Sequence, residues 1–318
     1  MRVHGSLEAL PPAPEGRALA IGAFDGVHLG HRAIIGRAVE RARAAGIPAT
    51  VLTFEPQPIA VLRPELKTVV LTPPERKAEL IAELGVDDLV IAPFTRAFSL
   101  IRWDRFAGML AQQPIAARWV VVGQNFHFGN RGRGNAALLA ERAGSLGYAV
   151  DVPPIVESPP GKPVSSTRVR RLVAHGEVAE VIPLLARPHS VDGTVVHGDQ
   201  RGRALGIPTA NLSLPPSVAI PARGVYAGHA HVAGEVFAAA VNVGVAPTFT
   251  EGLGDLRVEV FLLDYEDGDL YGEGLRVCFI ERLRPERRFP SPEALVAQVR
   301  EDIERARALA GGVGGALC

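Results

Sequence analysis

The 318-residue chain has few cysteines and no excess of charge of either sign. Its two cysteines are too few for a disulfide framework or for a zinc site built from cysteine alone. Cys278 lies in an apolar, strand-like run and Cys318 is the last residue, so we expect a reducing compartment. The 34 basic and 34 acidic residues balance, which disfavours general nucleic-acid binding or membrane-surface binding.

Long apolar segments are also missing. Residues 1–17 lack the apolar stretch of a signal peptide, and no uncharged apolar run approaches the length of a membrane span. The sequence therefore predicts a soluble cytoplasmic protein without a membrane partner. The basic charge is nearly all arginine, since Lys67, Lys77 and Lys162 are the only lysines.

The first half of the chain alternates strand-like and helix-like patterns. The predicted strands are 18–21, 49–54, 88–91, 119–122 and 148–152, and the predicted helices are 31–45, 73–84, 103–111 and 134–143. Strands separated by helices of this length indicate βαβ units. We therefore predict an α/β, Rossmann-like domain with a parallel sheet that is covered on both faces.

The second half shows short β-rich runs separated by turn residues. The predicted strands are 190–196, 224–232, 236–243, 256–263 and 275–283, with a hairpin turn at 267–269. This spacing predicts an all-β antiparallel barrel or sandwich. Ser291 as N-cap and Pro292 at the first helical position predict a closing helix. We place the domains at residues 1–186 and 187–310, with a disordered tail at 311–318.

A glycine-rich loop, Gly22–His31, follows the first predicted strand and precedes a helix. Glycines there let backbone amides approach a phosphate, and the helix N-terminus favours negative charge. His28 and His31 enter the same turn and are suited to stabilise charge on a pentavalent phosphorus. The alternative is a pair of surface histidines beside an ordinary tight turn.

A second polar segment, Ser165–Arg170, is the natural companion of this loop. Its hydroxyl residues can cap a helix start, and Arg168 and Arg170 can clamp phosphates. The alternative is an amphipathic helix with a plain serine cap and solvated arginines.

The two segments together resemble the nucleotidyltransferase superfamily, which pairs a His-x-Gly-His loop with a Ser/Thr-rich loop. Segments 52–56 and 121–129 resemble more specifically the FMN adenylyltransferase module of bacterial FAD synthetases. The resemblance implies catalytic roles for His28, His31 and Arg168. It implies binding of ATP or its phosphates by Gly22, Phe24, Asp25, Gly26, Gly30, Ser165, Ser166 and Thr167, and binding of flavin by Asn125, Phe126 and Phe128. Many family members have histidine where this chain has Gln57 and aspartate where it has Asn125.

Another glycine-rich segment, Arg201–Asn211, lies in the second half just after Gly198. Such a loop beside a hydroxyl and an amide can wrap a nucleotide phosphate and its Mg²⁺, with Thr209 as a metal ligand. The alternative is a glycine-rich barrel turn with Pro208 at an edge.

This segment and those after it resemble riboflavin kinases, through 208–211, 224–228, 242–249, 258–260 and 283–286. The resemblance implies a six-stranded antiparallel barrel with a terminal helix. It implies that Thr209 and Asn211 hold Mg²⁺ and ATP phosphates and that Glu259 is the general base. It also implies nucleotide binding by Gly198, Arg203 and Gly206, and flavin binding by Tyr226 and Arg284. The alternative for Glu259 is a solvated strand carboxylate.

In this order, the two resemblances match prokaryotic enzymes with both riboflavin kinase and FMN adenylyltransferase activity. The chain is then expected to use riboflavin, FMN, ATP and Mg²⁺, without a nucleic-acid partner. Two alternatives stay open: a kinase with a weakened or inactive adenylyltransferase domain, and a non-catalytic flavin-binding regulator. The oligomeric state is left open by the sequence.

Overall fold

The computed structural model describes residues 1–198, 207–215, 217–245, 256–266, 268–312 and 318. These residues form two compact units, Met1–Ser166 and Thr167–Cys318. In the part of the chain so described, no helix is long and apolar enough to cross a membrane.

The first unit is built around a six-stranded parallel sheet in the order β1-β4-β3-β2-β5-β8, which confirms the predicted Rossmann-like α/β class. Its strands are β1 (Arg2–His4), β2 (Arg17–Ile21), β3 (Ala49–Glu55), β4 (Asp88–Pro93), β5 (Ala117–Val121), β6 (His127–Phe128), β7 (Gly134–Asn135) and β8 (Ala149–Asp151). Strands β6 and β7 form a separate two-stranded antiparallel sheet. Its helices are α1 (Leu29–Ala45), α2 (Pro58–Leu62), α3 (Pro74–Ala82), α4 (Arg96–Ser99), α5 (Trp103–Ala111) and α6 (Ala136–Leu146), with 3₁₀ turns at Pro64–Leu66 and Asn130–Gly132.

The central strands are buried on both faces, as the continuous apolar runs predict. In β2, Leu19 and Ile21 pack into one core cluster while Ala18 and Ala20 pack into another on the opposite face. The carboxyl end of β2 therefore leads directly from the middle of the sheet into the loop before α1. Several predicted boundaries differ by one to three residues, and at α6 the reason is that Asn135 caps the helix by accepting a hydrogen bond from the Leu138 amide. The helix begins after Asn135 rather than at Gly134.

A buried carboxylate, Asp88, joins the edge strand β1 to the sheet. It accepts hydrogen bonds from Arg2 Nε at 2.9 Å and His4 Nε2 at 2.8 Å, and it lies 3.6 Å from Arg17 Nη1. The fully buried Arg17 also donates to three backbone carbonyls and to Thr50 Oγ1. Burial lowers the pKa of Arg17, and the Asp88 carboxylate opposes that shift.

We expect Asp88→Ala to destabilise the first unit by about 3–5 kcal/mol, because it leaves the buried Arg17 charge without its counter-ion. Chemical denaturation monitored by circular dichroism measures this loss. Asp104→Ala is the matched control, since its partner Arg102 is exposed and such pairs contribute at most about 1 kcal/mol. Equal losses in the two variants would contradict a structural role for the Asp88 network.

The second unit is a closed antiparallel barrel of six strands in the order β10-β13-β12-β11-β14-β9, which confirms the predicted barrel. Its strands are β9 (His189–Val196), β10 (Ala210–Ser213), β11 (Gly224–Val232), β12 (Glu235–Val245), β13 (Leu256–Leu262) and β14 (Gly274–Arg284). Helices α7 (Ser166–His175) and α8 (Val178–Leu185) precede the barrel, and α9 (Pro292–Gly312) follows it. Ser291 Oγ accepts a hydrogen bond from the Ala294 amide, as expected of an N-cap.

Strand β10 is the one barrel strand that the sequence pattern did not predict. It has only four residues, and it begins two residues after Pro208, which obscures the alternation. Of the predicted hairpin turn at 267–269, Asp267 lies outside the described residues.

The two cysteines behave differently from the sequence expectation. Cys278 is buried on β14, and the structure joins it to Cys318 as a disulfide with a Cα–Cα distance of 6.0 Å. Helix α9 runs to Gly312, two residues into the segment predicted to be a disordered tail, and residues 313–317 lie outside the described part.

Candidate active sites

The loop between β2 and α1 is held by hydrogen bonds to Leu71 and Thr72, which lie far away in the sequence. The buried Asp25 carboxylate accepts hydrogen bonds from the backbone amides of Leu71 and Thr72, at 3.0 Å and 3.1 Å. The Gly26 amide donates to Thr72 Oγ1 at 2.9 Å. Two non-glycine residues here, Phe24 (φ 48°) and Val27 (φ 40°), have positive φ. Such backbone strain persists only where surrounding contacts impose it, and it concentrates at functional sites.

Three residues of this loop that were predicted to bind phosphate also support the loop itself. Phe24 is fully buried in the core, and an added Cβ at Gly22 would lie 2.9 Å from its ring. The Asp25 carboxylate and the Gly26 amide are engaged by the 71–72 segment. These interactions fix the shape of the loop, and direct phosphate contact by Phe24, Asp25 and Gly26 stays a prediction.

The two histidines at the start of α1 are positioned by each other. His28 is the N-cap, and its Nδ1 accepts a hydrogen bond of 3.3 Å from the His31 backbone amide. The rings of His28 and His31 stack at 3.6 Å between centroids. Because Nδ1 of His28 is an acceptor, the proton of the neutral ring is on Nε2, which is then a donor. The neighbouring Gly30 would place an added Cβ 3.1 Å from His28 Cε1.

The predicted companion segment meets this loop through Ser166. Its Oγ donates a hydrogen bond of 2.8 Å to the backbone carbonyl of Asp25, so residues far apart in sequence are joined. Ser165 is partly buried beside it. Thr167, which is exposed, and Arg168, which is partly buried, follow in the first turn of α7, which groups with the second unit from Thr167 onward.

A lysine that the sequence reasoning did not select lies in the first unit. Lys77 of α3 is 1% exposed, and it interacts electrostatically with Asp25 of the loop and with Glu55 at the end of β3. Burial lowers the pKa of Lys77, while the two carboxylates oppose that shift. Burial also raises the pKa of Glu55. The sequence feature that could have indicated Lys77 is that it is one of only three lysines in a chain whose other basic residues are arginines.

The three predicted flavin-binding residues of this unit differ in exposure. Asn125 is exposed, Phe126 is partly exposed, and Phe128 is buried among aromatic rings. Phe126 and Phe128 stack at 5.3 Å, and Phe128 also packs 5.4 Å from Phe106. Only Asn125 and Phe126 therefore offer substantial surface to a ligand here. Gln57, the other departure from the family pattern, is buried at the start of α2.

We expect Gly30→Ala to lower FAD formation from FMN by about tenfold or more, because the new methyl group displaces the His28 ring and small misplacements are costly. Steady-state assays with supplied FMN measure this effect. Gly36→Ala in the same helix is the control, since an added Cβ there meets nothing within 4 Å. A similar loss in both variants would show that the effect comes from the helix and not from His28.

In the barrel, three polar residues lie side by side on neighbouring strands. Glu259 of β13 is opposite Asn211 of β10 and opposite Asn242 of β12. The flanking Val258 and Val260 point into the barrel core, so Glu259 and its neighbours face outward. Glu259 is thus part of a polar row rather than an isolated strand carboxylate.

Two cavities open on this side of the barrel and share Thr209 and Phe261. The first, about 390 Å³, is lined mainly by apolar residues together with Glu259, Asn242 and Arg284. The second, about 570 Å³, is lined by polar and aromatic residues that include Gly198, Asn211 and Tyr271. Cavities of this size suit small-molecule ligands. A phosphoryl donor and its acceptor can therefore meet at Thr209.

The second cavity has oxygen groups suited to a hard cation. Asn211 Oδ1 is buried and has no hydrogen-bond partner within the part of the chain that is described. An added Cβ at Gly198 would overlap the Asn211 amide, so glycine is required for this approach. Thr209 supplies a hydroxyl to the same cavity. This donor set fits Mg²⁺, which prefers oxygen ligands. The predicted nucleotide contacts of Arg203 and Gly206 lie outside the described residues.

The wall of the first cavity is formed partly by α9. Asp302, which is 1% exposed, accepts hydrogen bonds from Arg284, with Nε at 2.9 Å from Oδ2. The Arg284 guanidinium lies 5.4 Å from the ring of Phe289, which also lines the cavity. Arg284 therefore lines this cavity and is held by Asp302, a residue that the sequence motifs do not indicate; its flavin contact stays a prediction.

Tyr226 is placed elsewhere. It is fully buried in the barrel core, its hydroxyl donates to the Ala222 carbonyl, and its ring packs against Phe279. Burial raises the pKa of Tyr226 to about 12. Tyr226 lines neither of these two cavities and packs in the barrel core, and its flavin contact stays a prediction.

The first unit has a parallel sheet and a helix that begins at a histidine N-cap. The barrel that follows has an outward-facing carboxylate between two amides. Together these features define a two-domain, nucleotide-dependent transferase. Residues 10–168 match the FAD synthetase family model, and residues 185–310 match the riboflavin kinase model. The chain belongs to the bifunctional riboflavin kinase/FMN adenylyltransferase family. It has both transferase activities, with riboflavin, FMN and ATP as substrates.

Curated relatives with that name match almost the whole chain. The Listeria monocytogenes protein is 37% identical and covers 92% of this chain and 92% of its own length. The Pseudomonas fluorescens protein is 36% identical with 98% coverage of both chains. A solved structure of a Streptococcus pneumoniae protein, described as a macrolide-efflux protein, has a TM-score of 0.85 at 30% identity and covers 96% of this chain and 98% of that one. These matches do not favour a single-activity kinase or a non-catalytic regulator.

Proposed function

We propose that Glu259 is the general base of riboflavin phosphorylation. The observation that carries this proposal is the position of Glu259. It lies between Asn211 and Asn242 on the wall of the first cavity, which shares Thr209 with the second cavity. Riboflavin binds in the first cavity with its 5′-hydroxyl near Glu259, and ATP binds in the second. The carboxylate takes the hydroxyl proton as the oxygen attacks the γ-phosphorus, giving FMN and ADP.

Thr209 and Asn211 would hold Mg²⁺ in this site through the hydroxyl and amide oxygens. When bound, Mg²⁺ neutralises phosphate charge during the transfer. Gly198 leaves room for the Asn211 side chain, and Arg284, held by Asp302, covers the flavin in the first cavity. The flavin is thereby fixed between a basic wall and the Glu259 carboxylate.

The first unit carries out adenylyl transfer. The phosphate of FMN is already ionised, so its attack on the α-phosphorus of ATP needs orientation and charge stabilisation more than a base. His28 donates from Nε2 and His31 stacks against it, while Ser166 and Arg168 bind the phosphates. Gly22, Gly30, Ser165 and Thr167 surround the nucleotide, and Asn125 and Phe126 contact the flavin. The products are FAD and pyrophosphate.

The domain division near residues 186–187 also remains our proposal. The riboflavin kinase match starts at residue 185 and supports it, whereas the compact units divide between Ser166 and Thr167. ATP as a co-substrate favours the cytoplasmic location expected from the sequence.

A product time course tests the proposed order of reactions. With riboflavin, ATP and Mg²⁺, FMN should appear first and FAD should follow after a lag. Omitting the metal should abolish FMN formation. Unchanged riboflavin in the complete mixture, or FMN formation that is independent of divalent metal, would contradict the proposal.

A further inference from the structure

The outer face of the barrel carries a group of histidine and cysteine residues away from both cavities. On β14, Val277 and Phe279 point into the barrel core, so the intervening Cys278 faces outward, yet it is fully buried. On β11, His229 and His231 face the same side, on either side of the inward Ala230. Cys278 is directly opposite His229 in the strand register.

The end of α9 and the last residue cover this face. The His229 ring donates a hydrogen bond of 3.1 Å from Nε2 to the Ala310 carbonyl, which fixes the end of the helix over the strand pair. Ala306 packs into the apolar cluster on the same outer side. Cys318 then reaches Cys278, with a Cα–Cα distance of 6.0 Å. His229 therefore holds the end of the helix, and the link to Cys278 holds Cys318.

Three potential metal ligands meet at this point. One nitrogen of His231 and the Sγ atoms of Cys278 and Cys318 all lie within 4.8 Å of one another. Zinc binds thiolates at about 2.3 Å and imidazole at about 2.0–2.1 Å, so small side-chain shifts bring three such atoms around one ion. A shallow pocket lined by His231, Asp192 and Arg276 opens beside the group and gives it access to solvent.

We propose that Cys278, Cys318 and His231 bind one Zn²⁺ ion when the two cysteines are reduced. Two thiolates balance the charge of the ion, and the imidazole completes a set that prefers zinc over magnesium or calcium. A water molecule from the open pocket takes the fourth position. None of the three residues lines the kinase cavities, so this site is separate from the catalytic machinery.

The disulfide is the oxidised form of the same site. A cysteine binds zinc as its thiolate, and neither sulfur of a disulfide is a thiolate, so the disulfide excludes the ion. A dithiol reductant opens the bond and becomes a disulfide itself, which leaves two thiols on the protein. Binding of Zn²⁺ then releases their two protons. The ion replaces the covalent link between the C-terminus and β14 with a coordinate one.

Metal content after reduction tests the proposal. The full chain is reduced with a dithiol under argon, freed of reductant, incubated with Zn²⁺, desalted and analysed by mass spectrometry for bound zinc. We expect one zinc per chain and, with Co²⁺ in place of Zn²⁺, sulfur-to-cobalt charge-transfer absorption. Cys318→Ser should weaken binding by at least about 100-fold, since even groups that support a ligand contribute about 10–100-fold. This variant alters only the last residue and leaves the barrel core intact.

Two histidine variants separate the site from general surface binding. His231→Gln should weaken zinc binding as Cys318→Ser does, whereas His229→Gln on the same face should retain one zinc per chain. Absence of zinc from the reduced wild-type chain would overturn the proposal. So would equal zinc binding by wild type and Cys318→Ser, because the ion would then lie elsewhere. Full affinity in His231→Gln would overturn the ligand set.

Discussion

Glu259→Gln should lower the rate of FMN formation from riboflavin by about 10²–10⁴-fold, which is the usual contribution of a positioned general base. The amide keeps the size and the hydrogen-bonding position of the carboxylate but cannot accept the hydroxyl proton. FAD formation from supplied FMN should stay at the wild-type rate, because Glu259 is not among the residues proposed for adenylyl transfer. Separate steady-state assays with riboflavin and with FMN measure the two rates.

The matched control for this variant is Glu281→Gln. Glu281 is a partly buried glutamate on β14 that lines neither cavity, so the same substitution there should leave both rates unchanged. If FMN formation survived in Glu259→Gln within a few-fold of wild type, Glu259 would not be the base. If the rate of FAD formation fell in parallel, the two reactions would share a site.

His28→Asn should have the opposite pattern, with FAD formation lowered by about 10²–10³-fold and FMN formation unchanged. Asparagine is a favoured N-cap, so it can replace the His28 Nδ1 acceptor at the start of α1 and keep the helix intact. It lacks the Nε2 donor that stabilises charge on the α-phosphorus, and loss of one such donor has this magnitude. Riboflavin and ATP should then yield FMN that accumulates without conversion.

His175→Asn is the control for the loss of a histidine, because His175 is exposed at the end of α7 and its ring donates a hydrogen bond to the Arg171 backbone carbonyl. Its two activities should equal those of wild type. A His28→Asn enzyme with undiminished FAD formation would show that His28 acts only as a helix cap. Thermal unfolding of each variant should match wild type.

The fold was predictable because its signals are local. Alternating apolar runs and helix starts specify βαβ units, and turn residues at short intervals specify the barrel. Strand β1 was missed because a three-residue strand carries no periodicity, and its pairing depends on the distant Asp88. Strand β10 was missed because Pro208 interrupts the pattern.

The sequence motifs predicted which segments form the two candidate sites, but they predicted only some of the contacts that the residues of these segments make. A motif shows which residues lie in a loop, not which of their atoms are already bound. Asp25 and Gly26 belong to the predicted phosphate loop, yet the 71–72 segment occupies their polar groups. That partner is not visible in the motif.

Long-range pairs account for the remaining differences. Asp302 reaches Arg284 from the closing helix, and Cys318 reaches Cys278 from the chain terminus. Tyr226 belongs to a matching family segment, but strand alternation directs it into the core rather than the cavity. Each of these contacts depends on the register of the closed barrel, which the sequence pattern does not specify.

The central claim is that one site catalyses attack on the γ-phosphorus of ATP and the other catalyses attack on the α-phosphorus. Isotope-labelled ATP tests this claim most directly. With riboflavin and ATP labelled in the γ-phosphate, the label should appear in both FMN and FAD. With ATP labelled in the α-phosphate, it should appear in FAD alone, and Glu259→Gln supplied with FMN should still incorporate it. Absence of the α-label from the flavin products, or its appearance in FMN, would contradict the account.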